Sequence, residues 1–217
     1  MLLKCCFIFS AFQTPSLVIG KNRGATGSWF VQHTSGGTTR GGYLHTTDSF
    51  VNFGGAVDAT LTWNNTAADS SVFYLGVSSG VYYLNTTSNT YVAYCWAEIP
   101  GFSKFGSYTG NGSADGPVVI TGFKPAFIMI KGSSFISNWF IQDNRRNGYN
   151  PNSGVALRPN LTNQEDGTTT YDIDILSNGF KLRSSAGDSN TSTATFIYCA
   201  WAETPNINLY GAQANAR

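Results

Sequence analysis

The stretch YVAYCWAEIP, residues 91–100, returns near the end of the chain as FIYCAWAETP, residues 196–205. Each copy is an aromatic and β-branched run of the kind that forms strands, and each ends in Trp-Ala-Glu-x-Pro. Alternation along the run places apolar side chains on both faces, which predicts a central strand with one face in the core and the other against a neighbouring domain or loop. Proline has no N–H to donate, so it ends the strand. The repeated stretch therefore predicts the closing strand of two similar units.

Further blocks recur in the same order along the chain. PSLVIGK (15–21) matches PAFIMIK (125–131), and SWFVQ (28–32) matches NWFIQ (138–142). Self-similarity at a fixed spacing is the signature of a repeat. We predict a tandem duplication with a first unit at residues 1–103 and a second unit with its tail at residues 104–217. The repeat anchors are Trp29 and Trp139 in an early strand, and Trp96, Trp201, Glu98 and Glu203 in the closing strand.

Composition and pattern favour an all-β fold. Among the 217 residues, aromatics make up 14% and charged residues 12%, with 24 glycines. The segments between turn clusters are short, and none shows the apolar stripe of an amphipathic helix. We predict two tandem antiparallel β-sandwiches of jelly-roll type with almost no helix.

The start of the first unit differs from that of the second. FSAFQTP (9–15) reads like ITGFKP (120–125), so we interpret CCFIFSAF (5–12) as a strand, with a signal peptide as the alternative. The second unit is preceded by the strand-like KFGSYTG (104–110), and nothing before residue 1 matches it. Two explanations are open. The chain is the C-terminal piece of a longer one with an incomplete first repeat, which we favour. Alternatively, the strand that the first unit lacks is supplied by the tail NINLYGAQANAR (206–217) or by a neighbouring subunit.

Charge and cysteine usage narrow the function classes. A formal net charge of +1 supplies no basic field, so we predict no nucleic-acid or membrane partner. Cys5, Cys6, Cys95 and Cys199 show no zinc-ligand spacing, which favours a reduced protein assembled in the cytosol.

Signals of catalysis are weak. His33 and His45 have no counterparts in the second unit, and no nucleophile elbow, Walker loop or metalloprotease motif occurs. Asp172 and Asp174 share a strand face and could form a glycosidase pair or a calcium site, although a water-facing strand is the favoured interpretation. We predict that the protein is not an enzyme and has no catalytic, cofactor-binding or metal-binding residues.

Two sets of polar residues remain as candidates. The carboxylates of Glu98 and Glu203 are interpreted as caps for backbone N–H groups of the following segment, with a catalytic or metal-binding pair as the rival. Arg145 and Arg146 lie in a Gly/Asn-rich loop near Tyr149, with Arg158 further along. The loop is either simply solvated or a contact for a glycan or partner.

The quoted blocks, together with NWFIQDNRRNGYNP (138–151) and LSNGFKLR (176–183), resemble a repeat domain of tailed-bacteriophage virion proteins, common in phages of marine bacteria. The resemblance covers residues 90–217 closely and residues 15–90 more weakly. It implies a non-enzymatic virion component, such as a tail fibre, an appendage or a capsid-surface module, made in the bacterial cytoplasm. Expected partners are further copies of the chain, with a trimer favoured, other virion proteins and a host-surface glycan. The alternative is a carbohydrate-binding or glycan-degrading β-sandwich protein.

Overall fold

The chain divides into two compact units, Met1–Glu98 and Ile99–Arg217, called unit 1 and unit 2 below. The computed structural model describes residues 13–38, 40–52, 63, 66–76, 84–153, 155–165 and 167–204. The boundary between the units lies a few residues before the predicted one.

The described residues of unit 1 form one antiparallel sheet with the strand order β4-β3-β2-β1-β5. Its strands are β1 (Pro15–Asn22), β2 (Trp29–His33), β3 (Arg40–Tyr43), β4 (Val51–Asn52) and β5 (Tyr91–Ala97). The closing strand predicted at residues 91–98 is therefore β5, and among the described strands it pairs with β1.

Unit 2 contains two antiparallel sheets, with the strand orders β6-β12-β8-β9 and β10-β11-β7. Its strands are β6 (Ser103–Thr109), β7 (Val118–Ile120), β8 (Pro125–Gly132), β9 (Trp139–Asp143), β10 (Ile173–Leu176), β11 (Gly179–Leu182) and β12 (Thr195–Ala202). The outermost strands of the unit pair with each other, β6 with β12, and the next pair inward is β7 with β11. This nested pairing of early with late strands is a jelly-roll feature.

The core of unit 2 lies between its two sheets. One cluster of buried side chains includes residues of both sheets. The four-stranded sheet contributes Ile128, Phe140 and Phe196, among others, and the three-stranded sheet contributes Ile173 and Phe180. Alternating side chains from two facing sheets form a sandwich core. The prediction of an all-β, antiparallel fold is confirmed.

Equivalent hairpins in the two units share one register. In unit 1, β1 and β2 place Leu17 opposite His33, and in unit 2, β8 and β9 place Phe127 opposite Asp143, each residue 110 positions later. Trp29 and Trp139 consequently occupy matching places.

The closing strands also match. Leu17 is opposite Trp96, and Phe127 is opposite Trp201, with a register irregularity at the same end of both pairings. Shared register is what a duplicated unit predicts, and the common origin of the two units stays a prediction.

The motif tryptophan of unit 2 does not face the sandwich core. The core face of β12 carries Phe196, Tyr198 and Ala200. Trp201 lies on the other face, with its ring centroid 5.3 Å from that of Phe105 and 5.5 Å from that of Phe127. Packing across three neighbouring strands fixes this side chain, as cross-strand pairs do in other sheets.

Some element predictions are wrong or fall outside the described residues. VFYLG (72–76) forms no strand, although Phe73 is buried in the core of unit 1. A four-residue helix, α1 (Gly187–Asn190), and two short 3-10 turns are the helical elements among the described residues. The predicted N-terminal strand with Cys5 and Cys6, most of ATLTW (59–63) and VYYLN (81–85), and the tail lie outside the described residues.

Candidate binding loop

The loop of residues 144–151 follows β9 and holds three of the predicted contact residues. Asp143, the last residue of β9, starts the turn because its Oδ1 accepts the backbone N–H groups of Arg145 at 2.9 Å and Arg146 at 3.0 Å. An aspartate that accepts hydrogen bonds from the backbone two and three residues on favours a turn over continued strand. The direction of the loop is therefore set at its first residue.

Asparagine side chains fix the rest of the loop. Asn150 Oδ1 accepts the N–H of Ile175 at 2.9 Å, and Asn150 Nδ2 donates to the carbonyl of Ile175 at 2.9 Å. Asn147 Nδ2 donates to the carbonyl of Ser153 at 3.0 Å. The side-chain amide of Asn150 thus pairs with β10 much as a neighbouring strand would.

A buried amide pair supports the base of the loop. Gln142 is 0% exposed and Asn152 is 1% exposed. Gln142 Nε2 donates to the carbonyls of Asn152 at 3.0 Å and Tyr171 at 2.6 Å, while Asn152 Nδ2 donates to the carbonyl of Asp143 at 2.8 Å. Buried polar groups are costly unless they are bonded, so this pair holds the loop in one conformation.

The tip of the loop presents one aromatic ring. Tyr149 is 84% exposed, which is the highest exposed fraction of any large hydrophobic side chain in the described part of the chain. Arg145 is also exposed, and its guanidinium donates to the carboxylate of Glu203. The loop therefore offers an aromatic face beside an ion pair, on a rigid base.

Glu203 and Arg146 both form ion pairs that the sequence did not predict. The carboxylate of Glu203 bonds to the side chain of Arg145, and the segment whose N–H groups it was predicted to cap lies, from residue 205, outside the described residues. Arg146 is 23% exposed and lies between Asp143, at 2.6 Å from Nε, and Glu165, at 3.3 Å from Nη1. The geometry gives Arg146 a structural role in the loop and leaves Arg145 and Tyr149 at the surface.

One family model, described as Domain of unknown function (DUF7483), matches residues 9–205. The chain belongs to this family. The match extends from the first repeated block to the proline after β12, so the family unit includes both units of this chain. No curated protein and no solved structure matches.

In this family member, a second polar cluster joins four segments of unit 2. Asp188 in α1 accepts the N–H and the Nδ2 of Asn138 at 3.0 and 2.9 Å, and it accepts the hydroxyl of Tyr171 at 3.3 Å. The guanidinium of Arg158 lies 4.5 Å from the ring centre of Tyr171, and Asn160 bonds to Asn138 at 2.8 Å. Arg158 is therefore part of the packing of unit 2, not of an exposed basic patch.

The two histidines are bonded to the backbone of unit 1. His33 is fully buried and its Nδ1 accepts the N–H of Ser35 at 3.1 Å. His45 Nδ1 accepts the N–H of Trp29 at 3.4 Å, and burial, followed by the charge of Lys21, lowers the pKa of His45. Each imidazole has a structural partner in this arrangement.

His33 also lines a cleft of about 250 Å³ in unit 1. Its other walls are mainly hydroxyl, amide and small apolar groups from Thr14, Ser16, Gln32, Thr34 and Ala68. These neutral groups can donate and accept hydrogen bonds but bring no charge to the cleft.

The predicted carboxylate candidates are not brought together as a site. Asp174 forms an ion pair with Arg183 at 3.4 Å, and Asp172 precedes β10. Within the described ranges, no group of three or more His, Cys, Asp or Glu side chains could hold a metal ion. No helix within the same ranges is long and apolar enough to span a membrane.

Sequence reasoning missed the side chains that shape the loop, Gln142, Asn150 and Asn152, and it also missed Asp188 of the second polar cluster. The chain is rich in Asn, Ser and Thr, so none of these residues stands out in it. The signal that could have pointed to Gln142 was the glutamine repeated at positions 32 and 142, which occupies the same register position in the β1–β2 and β8–β9 hairpins.

Proposed function

We propose that this chain is a non-enzymatic structural module of a bacteriophage virion, located in a tail fibre, an appendage or the capsid surface. Its role is assembly of the particle, and the loops of unit 2 contact the host surface. The resemblance in sequence to virion repeat domains supports the location. The loop geometry supports the role, since a rigid scaffold that carries binding residues on its loops is a common design for recognition.

The observation that carries the proposal is the construction of the loop at 144–151. The side-chain carboxylate of Asp143 and the side-chain amides of Asn147 and Asn150 bond to backbone groups, and these bonds hold the loop in its conformation. The side chain left at the surface is an aromatic ring, Tyr149, beside the Arg145–Glu203 pair. A fixed aromatic ring next to polar groups can stack on an apolar sugar face or an aromatic side chain with little loss of conformational entropy.

Purified particles provide the direct test of the virion role. Mass spectrometry of particles separated from host lysate should detect peptides from both units in a fixed ratio to the capsid protein. Particles that contain no peptide of this chain would contradict the proposal.

Host contact is tested by competition. The purified chain should slow adsorption of the phage to host cells, and Tyr149→Ala should reduce that inhibition about tenfold. Ile136→Ala is the matched control, because Ile136 is 73% exposed on another loop of the same unit. Equal inhibition by the two variants would remove Tyr149 from the contact.

The exposed tyrosine also supports the second candidate, a protein that binds or degrades glycans without a virion. A glycan array should then give a specific signal that is lost in Tyr149→Ala and kept in Ile136→Ala. Such a signal from a chain absent from particles would favour this candidate over the first.

A further inference from the structure

The cleft of unit 1 contains the counterpart of the buried glutamine of unit 2. Gln32 is opposite Val18 in the β1–β2 hairpin, as Gln142 is opposite Ile128 in the β8–β9 hairpin. Gln32 and Val18 both line the cleft of about 250 Å³. The same position of the sheet therefore opens to a cavity in unit 1 and is enclosed by protein in unit 2.

Unit 2 shows which groups this glutamine binds. Gln142 Nε2 donates to the carbonyls of Asn152 at 3.0 Å and Tyr171 at 2.6 Å, and Gln142 Oε1 accepts the Nδ2 of Asn152 at 3.3 Å. A side-chain amide carries two N–H donors and one acceptor oxygen, and in unit 2 both donors meet neutral carbonyl oxygens. Gln32 carries the same set of donors and acceptor into the cleft of unit 1.

Hydroxyl groups surround Gln32 in the cleft. Gln32 is half-buried, and its side chain bonds to no other described residue. Thr14 and Ser16 line the same cleft, whereas the positions that correspond to them in unit 2 are Lys124 and Ala126. Each hydroxyl can both donate and accept a hydrogen bond. The polar lining is therefore particular to unit 1, although the hairpin that carries it is common to both units.

The turn after β2 forms a fixed wall of the cleft. The Nδ1 of the fully buried His33 accepts the N–H of Ser35 at 3.1 Å, and the N–H of Gly37 donates to the carbonyl of Thr34 at 3.1 Å. Gly37 has a φ of 74°, in the left-handed region that glycine adopts without strain. Because these bonds hold the wall in place, a ligand that binds there has little protein structure to order.

The lining of the cleft selects a small and neutral ligand. All of the residues that line it are described, and none of them is Asp, Glu, Lys or Arg. A charged ligand would lose its hydration there without gaining an ionic partner, and that loss is costly. The volume of about 250 Å³ is below the range of about 300–1,000 Å³ for drug-sized ligands. This size suits a single sugar ring.

We propose that the cleft of unit 1 binds a neutral sugar residue that carries an acetamido group. Gln32 Nε2 donates to the acetamido carbonyl, as Gln142 Nε2 donates to two carbonyls in unit 2. The hydroxyls of Thr14 and Ser16 bond to the ring hydroxyls and to the acetamido N–H. The inference is independent of the loop at 144–151, because the cleft and the loop share no residue and belong to different units.

An NMR titration of the full chain with single sugars measures the binding. The probes are N-acetylglucosamine and N-acetylgalactosamine, and glucose is the matched sugar without the acetamido group. At least one of the two probes should bind about tenfold more tightly than glucose or better, because a site that hydrogen-bonds a ligand group discriminates against the analogue that lacks it. Binding of neither probe, or glucose binding as tight as that of both, would overturn the proposal.

Three variants locate the sugar. Gln32→Leu should weaken binding at least tenfold while the urea midpoint stays unchanged, and Ala67→Trp should abolish binding because the indole fills the cleft. Gln164→Leu, at an exposed glutamine of unit 2, is the matched control and should bind as the unmodified chain does. Equal affinities of Gln32→Leu and Gln164→Leu would refute the cleft as the site. So would a titration that shifts the signals of Tyr149 and leaves the side-chain amide signal of Gln32 in place.

Discussion

Replacement of Gln142 by leucine should destabilise unit 2 strongly. The side chain is fully buried, and its Nε2 donates at 3.0 Å to the carbonyl of Asn152 and at 2.6 Å to the carbonyl of Tyr171. Leucine has a similar volume but leaves both carbonyls without this donor. A buried polar group that loses its partner costs about 1–3 kcal/mol, and two such losses, partly offset by the apolar side chain, give about 2–4 kcal/mol.

Urea denaturation followed by far-ultraviolet circular dichroism measures this loss. The midpoint should fall while the slope stays unchanged, because the area exposed on unfolding is the same. The unfolding transition of unit 2 is the one to compare between the variant and the unmodified chain.

Gln32→Leu is the matched control for Gln142→Leu. Gln32 is opposite Val18 as Gln142 is opposite Ile128, but it is only half-buried and its side chain bonds to no other described residue. Its replacement should change the free energy of unfolding by less than about 0.5 kcal/mol. A loss below about 1 kcal/mol in Gln142→Leu, or equal losses in both variants, would refute the reasoning.

Three further predictions concern ionisable groups of the described structure. Burial by itself would raise the pKa of Asp143, but the hydrogen bonds that its carboxylate accepts from Arg146 and Arg145 outweigh burial, so the pKa is lowered. The stability that the ionised carboxylate contributes is therefore present above about pH 4 and is lost as the pH falls through the lowered pKa. Urea midpoints between pH 3 and 7 should therefore fall less steeply on the acid side in Asp143→Asn than in the unmodified chain, and identical slopes would contradict the assignment. Asp188→Ala should cost about 2–4 kcal/mol, because the two hydrogen bonds from Asn138 and the longer one from the Tyr171 hydroxyl are lost, while Asp115→Ala, at an exposed side chain, should leave the midpoint nearly unchanged. Burial raises the pKa of the Cys199 thiol, so iodoacetamide at pH 8 should modify the half-buried Cys95 faster than Cys199 in the folded protein, and equal rates for these two cysteines in peptide maps would contradict this.

Much of the fold follows from local sequence patterns. The paired blocks around Trp29 and Trp139 predict two equivalent hairpins, and the structure shows them with one register. Period-two alternation and turn residues are local signals, so strands such as β8 and β12 could be located before any packing was known. VFYLG (72–76) shows the limit of this reasoning, since its apolar side chains fill a core without joining a sheet.

The candidate site was only partly predictable. Tyr149 could be singled out because an aromatic residue in a Gly/Asn-rich loop has no core to join. The different roles of Arg145 and Arg146 could not be read from their adjacency, because they depend on Glu203 and Glu165, which come close only when the sheets are assembled.

The amino-acid order by itself determined the strand content, the antiparallel class and the matching of the two halves, because these follow from side-chain alternation and from repeated blocks. Only the tertiary structure decided which polar residues hold the loop and which of the two neighbouring arginines stays at the surface. Gln32 and Gln142 stand in the same short motif, yet one is half-buried and the other is fully enclosed by carbonyls from distant segments. Hydrogen-bond partners of this kind are selected by contacts between residues far apart in the chain, and a local pattern does not contain them.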